Sequence, residues 1–288
     1  RGIIAPEDQP RFESVIASAM RLRNSVIAEV LLLALAIFVG YWAGKRYIAM
    51  GVATWFAVPS DGQTQYTAAG YWYLLVSLTI YRFLIVRWSF RLFIWYRFLW
   101  QVSRHVRLRL NALHPDRAGG LGFLGASLFA FAPVLLAMTT GLAGFIGGKI
   151  WHESATLPQF KLELVVWMVF LVLLVVAPLF FFMTHLVEAR RIGLREYGIV
   201  ASRYVAEFRR KWIEGHAAKD EALVGTADIQ SLADLSNSFE VVREMGLVPF
   251  GRTTVVRLAI LTALPLLPLT FTMIPLEQLI DRALGVFF

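Results

Sequence analysis

The stretch LVVWMVFLVLLVVAPLFFFMTHL, residues 164–186, contains no Asp, Glu, Lys or Arg. A helix that crosses the hydrocarbon core of a bilayer needs about 20 consecutive apolar residues, and this stretch supplies them. A helix on the surface of a soluble domain would show a polar face within that length. The stretch therefore predicts a transmembrane helix and, with it, a membrane protein.

Four further apolar stretches accompany it. They lie at about residues 26–44, 70–110, 121–146 and 255–274. The composition agrees, because 58% of the 288 residues are hydrophobic and 17% are charged, whereas soluble domains carry about 25% charged residues. The predicted fold class is an all-α integral membrane protein of about five transmembrane helices, with a helical cytosolic insertion and a small external loop or hairpin near residues 45–69.

The distribution of basic residues predicts the side of the membrane on which each segment lies. Of the 28 Lys and Arg, 22 fall in segments 1–25, 87–117 and 190–257, and five fall on the alternate side. The positive-inside rule then places the N-terminus in the cytoplasm. The predicted regions are a cytosolic amphipathic segment (1–25), a four-helix membrane region (26–186), a helical cytosolic region (187–252), and a proline-broken fifth helix with its tail (253–288).

Several classes of function lack the residues that they need. The chain has no Cys, which excludes disulfides, thiolate nucleophiles and iron–sulfur ligands. The five His lie at no metal-ligand spacing, and the motifs of phosphate-binding loops, serine hydrolases and zinc peptidases are missing. We therefore expect no catalytic residue, no metal and no cofactor. In a membrane protein, the net charge of +8 indicates contact with anionic lipid and not with nucleic acid.

Arg82 lies about a dozen residues inside the second apolar stretch. A charged side chain at that depth costs about 3 kcal/mol on insertion scales unless it faces protein or water, and it marks a functional site by default. Glu29, near the start of the first stretch, is the nearest acidic candidate to neutralise it. Two alternatives stay open: a structural ion pair, and an arginine that extends to the cytoplasmic headgroups.

If the helix that carries Arg82 continues to about residue 110, its basic side chains form two stripes. At 100° per residue, the sector of Arg82 also contains Arg97, Arg104 and Arg107. The opposite stripe contains Arg87, Arg91 and Arg109. We predict that one stripe faces a protein groove or lines a vestibule, where a ring of Arg would favour anions, and that the other faces phospholipid phosphates near Trp88, Trp95 and Trp100. A bend in the helix near Trp100 or Ser103 would remove this arrangement.

The loop HPDRAGGLGFLG, residues 114–125, has the most distinctive composition. Its glycines match G-x-G-x-x-G, but no strand precedes them, so a dinucleotide fold is rejected. A glycine-rich helix start exposes amides that suit an anion. The candidate ligands for an anion or lipid headgroup are Arg109, His114, Asp116, Arg117, Gly119 and Gly120. The alternatives are a plain turn and helix cap with closely packed glycines, and an enzyme that acts on lipid headgroups through His114 and Asp116.

The region 187–252 is the largest segment outside the apolar stretches. Its first helix carries Val200, Tyr204, Phe208 and Trp212 at four-residue steps, which predicts an apolar stripe that needs a partner. Two shorter helices are expected at about residues 228–235 and 238–245. Tyr204, Phe208 and Trp212 are therefore candidate docking residues for a cytosolic protein.

Two segments carry a resemblance to a family. With HPDRAGGLGFLG at residues 114–125 and DIQSLADL at residues 228–235, the chain resembles an uncharacterised family of bacterial multi-pass inner-membrane proteins. The resemblance covers most of the chain. It implies a location in the bacterial cytoplasmic membrane, and it implies no activity and no residue role.

These features together favour a membrane channel or transporter for anions or small anionic solutes. The buried arginine, the prolines of the fifth stretch and the long basic helix are the reasons. Two pairs of small residues, Gly40 with Gly44 and Gly144 with Gly148, favour close helix crossing within or between subunits, and we expect a homo-oligomer. The alternative is a non-transporting scaffold or accessory subunit that binds anionic lipid and a cytosolic partner.

Overall fold

The computed structural model describes residues 2–47, 55–60, 63–218, 221, 223 and 227–273. Four of its helices are long and apolar enough to cross a membrane: Ala68–His105, Phe123–His152, Leu157–Ile213 and Arg252–Met273. A fifth candidate is the pair Pro6–Arg23 and Val26–Trp42, which is bent by 46°. The prediction of an all-α fold with about five spanning helices is confirmed.

The bent pair consists of helix α1 (Gln9–Arg23) and helix α2 (Val26–Tyr47). The chain turns between them at a serine cap, because the amide of Ala28 donates to Oγ of Ser25 at 3.2 Å. Helix α1 carries the basic amphipathic pattern predicted for the N-terminal segment. Helix α2 corresponds to the first apolar stretch.

A short antiparallel hairpin follows the first apolar stretch. Strand β1 (Ala57–Ser60) pairs with strand β2 (Gln63–Tyr66), with Ala57 opposite Tyr66. The hairpin lies within the loop predicted near residues 45–69; residues 48–54 and 61–62 of that loop lie outside the described residues.

The second apolar stretch forms one long helical run. It begins with α3 (Ala68–Trp72), where the side chain of Thr67 caps the amide of Gly70 at 3.0 Å. A π-helical turn (Tyr73–Ser77) leads into α4 (Leu78–His105). The run of 38 residues is about 57 Å long, so it exceeds the thickness of the hydrocarbon core, as the sequence predicted.

The third and fourth stretches also form helices that contain 3₁₀ turns. They comprise α5 (Phe123–Ser127), α6 (Ala132–His152), α7 (Lys161–Val176) and α8 (Met183–Phe208). A 3₁₀ segment, Ala177–Phe182, joins α7 to α8 at Pro178 without interrupting the run. Helix α8 therefore continues the fourth stretch directly into the region that was predicted to be cytosolic.

The segment after α8 differs from its prediction. One helix, α9 (Ala227–Arg243), replaces the two that were expected. The hydroxyl of Ser238 donates to the carbonyl of Asp234 four residues earlier, at 2.8 Å, so Ser238 bonds back along the helix and does not start a new one.

The fifth stretch is tightened at its prolines and not broken. It comprises α10 (Arg252–Ala263), a 3₁₀ turn (Leu264–Leu266), α11 (Leu267–Thr270) and a second 3₁₀ turn (Phe271–Met273). Pro265 and Pro268 each lie at the start of a helical segment. A proline is tolerated there because the backbone N–H that it lacks would have no partner within that segment. The predicted tail from residue 274 onward lies outside the described residues.

Two compact units make up the chain. The first unit contains Arg1–Glu13, Leu99–Leu128 and Val176–Val256, and the second contains Ser14–Phe98, Phe129–Val175 and Arg257–Phe288. In the first unit, Ala5 donates its amide to the carbonyl of Arg107 at 3.1 Å, and Arg109 donates to the carbonyl of Ile3 at 2.6 Å. This pairing joins the start of the chain to residues 107–109 within the first unit. The following residues, from Ser14, belong to the second unit, so the predicted segment 1–25 is divided between the two units.

Candidate functional site

The second unit contains an open, concave cavity of about 880 Å³. The end of α1, the start of α2, the middle of α4 and the residues before α6 surround it. The side chains that matter here are Arg23, Glu29, Arg87, Arg91, Trp88 and Trp95. We call this space the basic cavity.

Glu29 forms its ion pair with Arg87, and not with Arg82 as the sequence predicted. Glu29 lies in the first turn of α2, whereas Arg82 lies against Gly40, about three turns further along that helix. The register between α2 and α4 decides the pairing, and hydropathy carries no information about that register. The pair leaves one carboxylate and one guanidinium neutralised at the wall of the basic cavity.

Arg82 is half-buried on α4. A Cβ atom at Gly40 would lie only 2.5 Å from its Nη1, so the guanidinium occupies the space that the glycine leaves open. Within the described part of the chain, Arg82 makes no hydrogen bond and no ion pair. Its neighbour Tyr81 donates to the carbonyl of Ala137 at 3.0 Å, which holds α4 against α6. Among the described residues, Arg82 therefore has no counter-charge.

The other arginines of the predicted pore stripe are not gathered together. Arg97 donates through Nη1 to Oγ of Ser18 at 3.0 Å, and Arg104 is exposed on the last turn of α4. Arg107 lies beyond the end of α4, where its amide donates to the carboxylate of Asp8 at 2.8 Å. The predicted sector therefore excludes Arg107, because the helix ends before it.

Two arginines of the basic cavity have no acidic partner among the described residues, namely Arg23 and Arg91. Arg23 donates through Nε to the side-chain oxygen of Asn24 at 3.3 Å. The guanidinium of Arg91 lies 5.0 Å from the ring centroid of Trp88, a cation–π distance. Trp95 also lines the cavity, and its Nε1 is buried without a hydrogen-bond acceptor in the described part of the chain.

The glycine-rich loop in the first unit is folded around its own carboxylate. Asp116 accepts hydrogen bonds from the amides of Ala118, Gly120 and Gly122 at 2.8, 3.1 and 2.8 Å. Nδ1 of His114 lies 2.7 Å from Oδ1 of the same aspartate. The amides that were expected to bind an external anion are therefore occupied by Asp116.

These contacts keep Asp116 ionised. Burial alone raises the pKa of its carboxyl. The hydrogen bonds from Ala118, Gly122 and Gly120, together with His114, lower the pKa by more than burial raises it, so the pKa lies below its ordinary value. A carboxylate held in this form is a poor general acid near neutral pH. The predicted enzyme alternative, which relied on His114 and Asp116, gains no support from this geometry.

The glycines of the loop serve the turn and its packing. Gly119 and Gly120 have φ angles of 64° and 97°, in the left-handed region that glycine adopts most readily. A Cβ atom at Gly119 would lie 3.1 Å from the side chains of Leu110 and Met245. This is the turn-and-packing arrangement that the sequence left open.

The remaining candidate anion ligands are paired within the first unit. Arg117 forms an ion pair with Glu244 at 2.8 Å, and Arg109 lies 3.7 Å from Glu7. Both arginines are largely exposed, so these pairs contribute little to stability. The carboxylates of these pairs nevertheless neutralise the positive charge with which the two arginines would attract an external headgroup.

Helix α9 contacts part of the candidate docking stripe on α8 and the turn after it. The hydroxyl of Tyr204 donates to the carbonyl of Asp228 at 2.8 Å, and Nε1 of Trp212 donates to the carboxylate of Asp228 at 2.9 Å. Phe208 is half-buried on the same helix, and Val200 is exposed. The docking of a cytosolic protein on this stripe stays a prediction.

Comparison with known proteins adds no family. No family model, no curated protein and no solved structure matches the chain.

The sequence only partly anticipated the basic cavity. Arg91, Trp88 and Trp95 belonged to the stripe that was expected to face phospholipid phosphates. Arg23 was not singled out, because its amphipathic helix gives no sign that it meets α4. The position of this basic residue, next to the first apolar stretch, was the sequence feature that could have indicated its role.

Proposed function

We propose that the protein is a membrane channel or transporter that favours anions or small anionic solutes. The observation that carries this proposal is Arg82, a half-buried arginine of an apolar helix that has no acidic partner among the described residues. The protein acts as a homo-oligomer in the bacterial cytoplasmic membrane, with its N-terminus inside. The positive-inside rule supports that orientation, and the resemblance drawn from the sequence supports that membrane.

An unpaired guanidinium inside an apolar helix favours a mobile anion for an electrostatic reason. Burial of the charge is unfavourable unless water or an opposite charge reaches it. The guanidinium fills the space beside Gly40, and no described carboxylate competes for Arg82. A passing anion supplies the missing charge, whereas a cation is repelled.

The basic cavity supports the same preference. Arg87 is neutralised by Glu29, but Arg23 and Arg91 add positive charge to a concave surface of the same unit. Charge of one sign in a cleft raises the local concentration of the opposite ion. Anions would therefore collect near the helix that carries Arg82.

Flux through the purified full chain in proteoliposomes tests the proposal, with chloride and potassium gradients compared. Arg82→Gln should lower the ratio of chloride to potassium flux by about fivefold or more, because a unit charge at about 4 Å contributes roughly 1 to 4 kcal/mol. Arg82→Lys keeps the charge and should retain most of the selectivity.

A second pair of variants separates the position of the guanidinium from its charge. Gly40→Ala places a Cβ 2.5 Å from Nη1 of Arg82 and must displace it, whereas a Cβ at Gly198 on α8 meets only Phe239, at 3.8 Å. Gly40→Ala should therefore reduce flux, and Gly198→Ala should not. If the wild type conducts and Arg82→Gln keeps its selectivity, Arg82 is not on the path. Absence of anion flux at every voltage and pH would favour the non-transporting scaffold.

A further inference from the structure

We infer that the basic cavity binds the phosphate-bearing headgroup of an anionic phospholipid, with the start of an acyl chain along its aromatic wall. Such binding does not require conduction. It concerns Arg23, Arg91 and Trp95, and not Arg82. Binding and flux can therefore succeed or fail independently.

The charge of the cavity selects an anion. Glu29 neutralises Arg87, which leaves the guanidinium groups of Arg23 and Arg91 without an acidic partner among the described residues. Guanidinium groups donate paired hydrogen bonds whose geometry matches phosphate oxygens. Two of them at one cavity suit a phosphodiester.

The walls of the cavity select a lipid over a free ion. Trp88 and Trp95 each lie with their rings 6.4 Å from the ring of Phe131, and Ile94 and Met20 continue the apolar lining. Inorganic phosphate would gain nothing from these surfaces. An acyl chain would bury apolar area there at roughly 25 cal/mol per Å².

Trp95 supplies an independent observation. Its Nε1 is buried and has no acceptor in the described part of the chain, although a buried indole N–H usually has one. Trp95 lines the same cavity as the two arginines. A rotation of the indole that turns this donor into the cavity would let a phosphate or ester oxygen of a bound lipid accept its hydrogen bond.

The position and size of the cavity fit a lipid headgroup. Arg23 ends the amphipathic helix α1, directly before the apolar helix α2, which is the level at which basic and Trp residues meet headgroups. A volume of about 880 Å³ holds a ligand of drug size. It therefore accepts a headgroup and part of one chain, while the rest of the lipid stays in the bilayer.

Lipid binding to the purified full chain in detergent tests the inference, with native mass spectrometry as the measurement. The probes are phosphatidylglycerol, phosphatidylcholine and inorganic phosphate. We expect the wild type to prefer phosphatidylglycerol. Arg23→Gln and Arg91→Gln should each weaken its binding by about tenfold, and Trp95→Phe by about threefold, as expected for loss of a charged and a neutral hydrogen bond.

Matched controls separate this site from general attraction to a basic protein. The double variant Arg21→Gln with Arg203→Gln removes the same charge as the cavity double variant Arg23→Gln with Arg91→Gln, but from exposed positions outside the cavity. It should leave phosphatidylglycerol binding within about twofold of the wild type. Arg23→Lys and Arg91→Lys should restore part of the affinity that the glutamine variants lose. Thermal unfolding of the glutamine variants checks that they remain folded.

Three results would overturn the inference. The first is equal binding of phosphatidylglycerol and phosphatidylcholine by the wild type. The second is an equal loss of binding in the cavity and control double variants. The third is inorganic phosphate that binds as tightly as phosphatidylglycerol and depends equally on Arg23 and Arg91, which would make the ligand a free anion.

Discussion

Asp116 shows how one residue decides the role of a whole loop. The glycine-rich segment offers its amides to an anion, and Asp116 is that anion, with three amide donors at 2.8 to 3.1 Å. A carboxylate with several amide donors is stabilised in its ionised form. The loop is therefore a structural element of the first unit, closed by its own charge.

Substitution of Asp116 by Asn should destabilise the protein in a pH-dependent way. The variant loses charged hydrogen bonds that contribute roughly 1 to 3 kcal/mol. Because the pKa of Asp116 is lowered from its ordinary value of 3.8, its stabilisation is complete above that value and is lost as the pH falls through the folded-state pKa. Thermal unfolding of the full chain should show a large difference from the wild type at neutral pH and a smaller one in acid.

The matched control for this prediction is Asp234→Asn on α9. Asp234 accepts a side-chain hydrogen bond only from Gln230, at 2.9 Å, among the described residues, so its replacement should change stability by no more than about 0.5 kcal/mol. An Asp116→Asn variant as stable as Asp234→Asn would contradict the structural role of the loop.

At single residues, the sequence predicts environments better than partners. Hydropathy alone showed that Arg82 lies in an apolar helix, since the surrounding residues are part of the same local pattern. The partner of Glu29 depends on the register of two helices, and so the expected pair with Arg82 is replaced by a pair with Arg87. The sequence contains Asp116, whose carboxylate accepts hydrogen bonds from the amides of the glycine-rich loop. Only the fold shows that this side chain turns towards those amides.

Helix α8 provides a matched pair of glycines at the scale of one element. A Cβ at Gly193 would lie 2.6 Å from Cβ of Ala112 and 3.0 Å from Cγ1 of Val242, whereas a Cβ at Gly198 meets only Phe239 at 3.8 Å. Both positions would gain a similar helix preference from alanine, about 0.8 to 1 kcal/mol. Any difference between them therefore measures packing.

Gly193→Ala should lower the stability of the protein by roughly 1 to 3 kcal/mol because it overpacks a close contact, and Gly198→Ala should leave stability unchanged or raise it. Chemical denaturation of both variants in the same detergent gives the comparison. Equal effects would mean that α8 does not pack closely at Gly193.

The apolar stretches predict where helices exist, but they do not predict where helices end. Helix α4 continues past the apolar part of its stretch because its polar residues still favour a helix, and α8 continues the fourth stretch in the same way. Two helices were expected at about residues 228–235 and 238–245, but Ser238 bonds back along the single helix α9. Polar residues stop a helix only when their side chains cap it, and capping depends on geometry.

For the whole molecule, the two-sided distribution of charge is the strongest statement that the sequence makes about topology. Of the 28 basic residues, 22 fall on the side predicted to be cytoplasmic. Four candidate spanning helices and one bent pair match the predicted number of spans by length and composition. The charge distribution predicts that the hairpin of β1 and β2 is external and that α9 is internal.

The absence of cysteine from the sequence makes this topology directly measurable. Gln65→Cys on β2 and Ser236→Cys on α9 introduce single thiols at exposed positions into an otherwise unreactive chain. In intact bacterial cells, a membrane-impermeant maleimide should label Gln65→Cys and not Ser236→Cys, because the bilayer separates the reagent from the cytoplasm. After permeabilisation both should react, which controls for local accessibility. Labelling of Ser236→Cys in intact cells at the rate of Gln65→Cys would reverse the assignment, and the basic cavity would then face the outer leaflet.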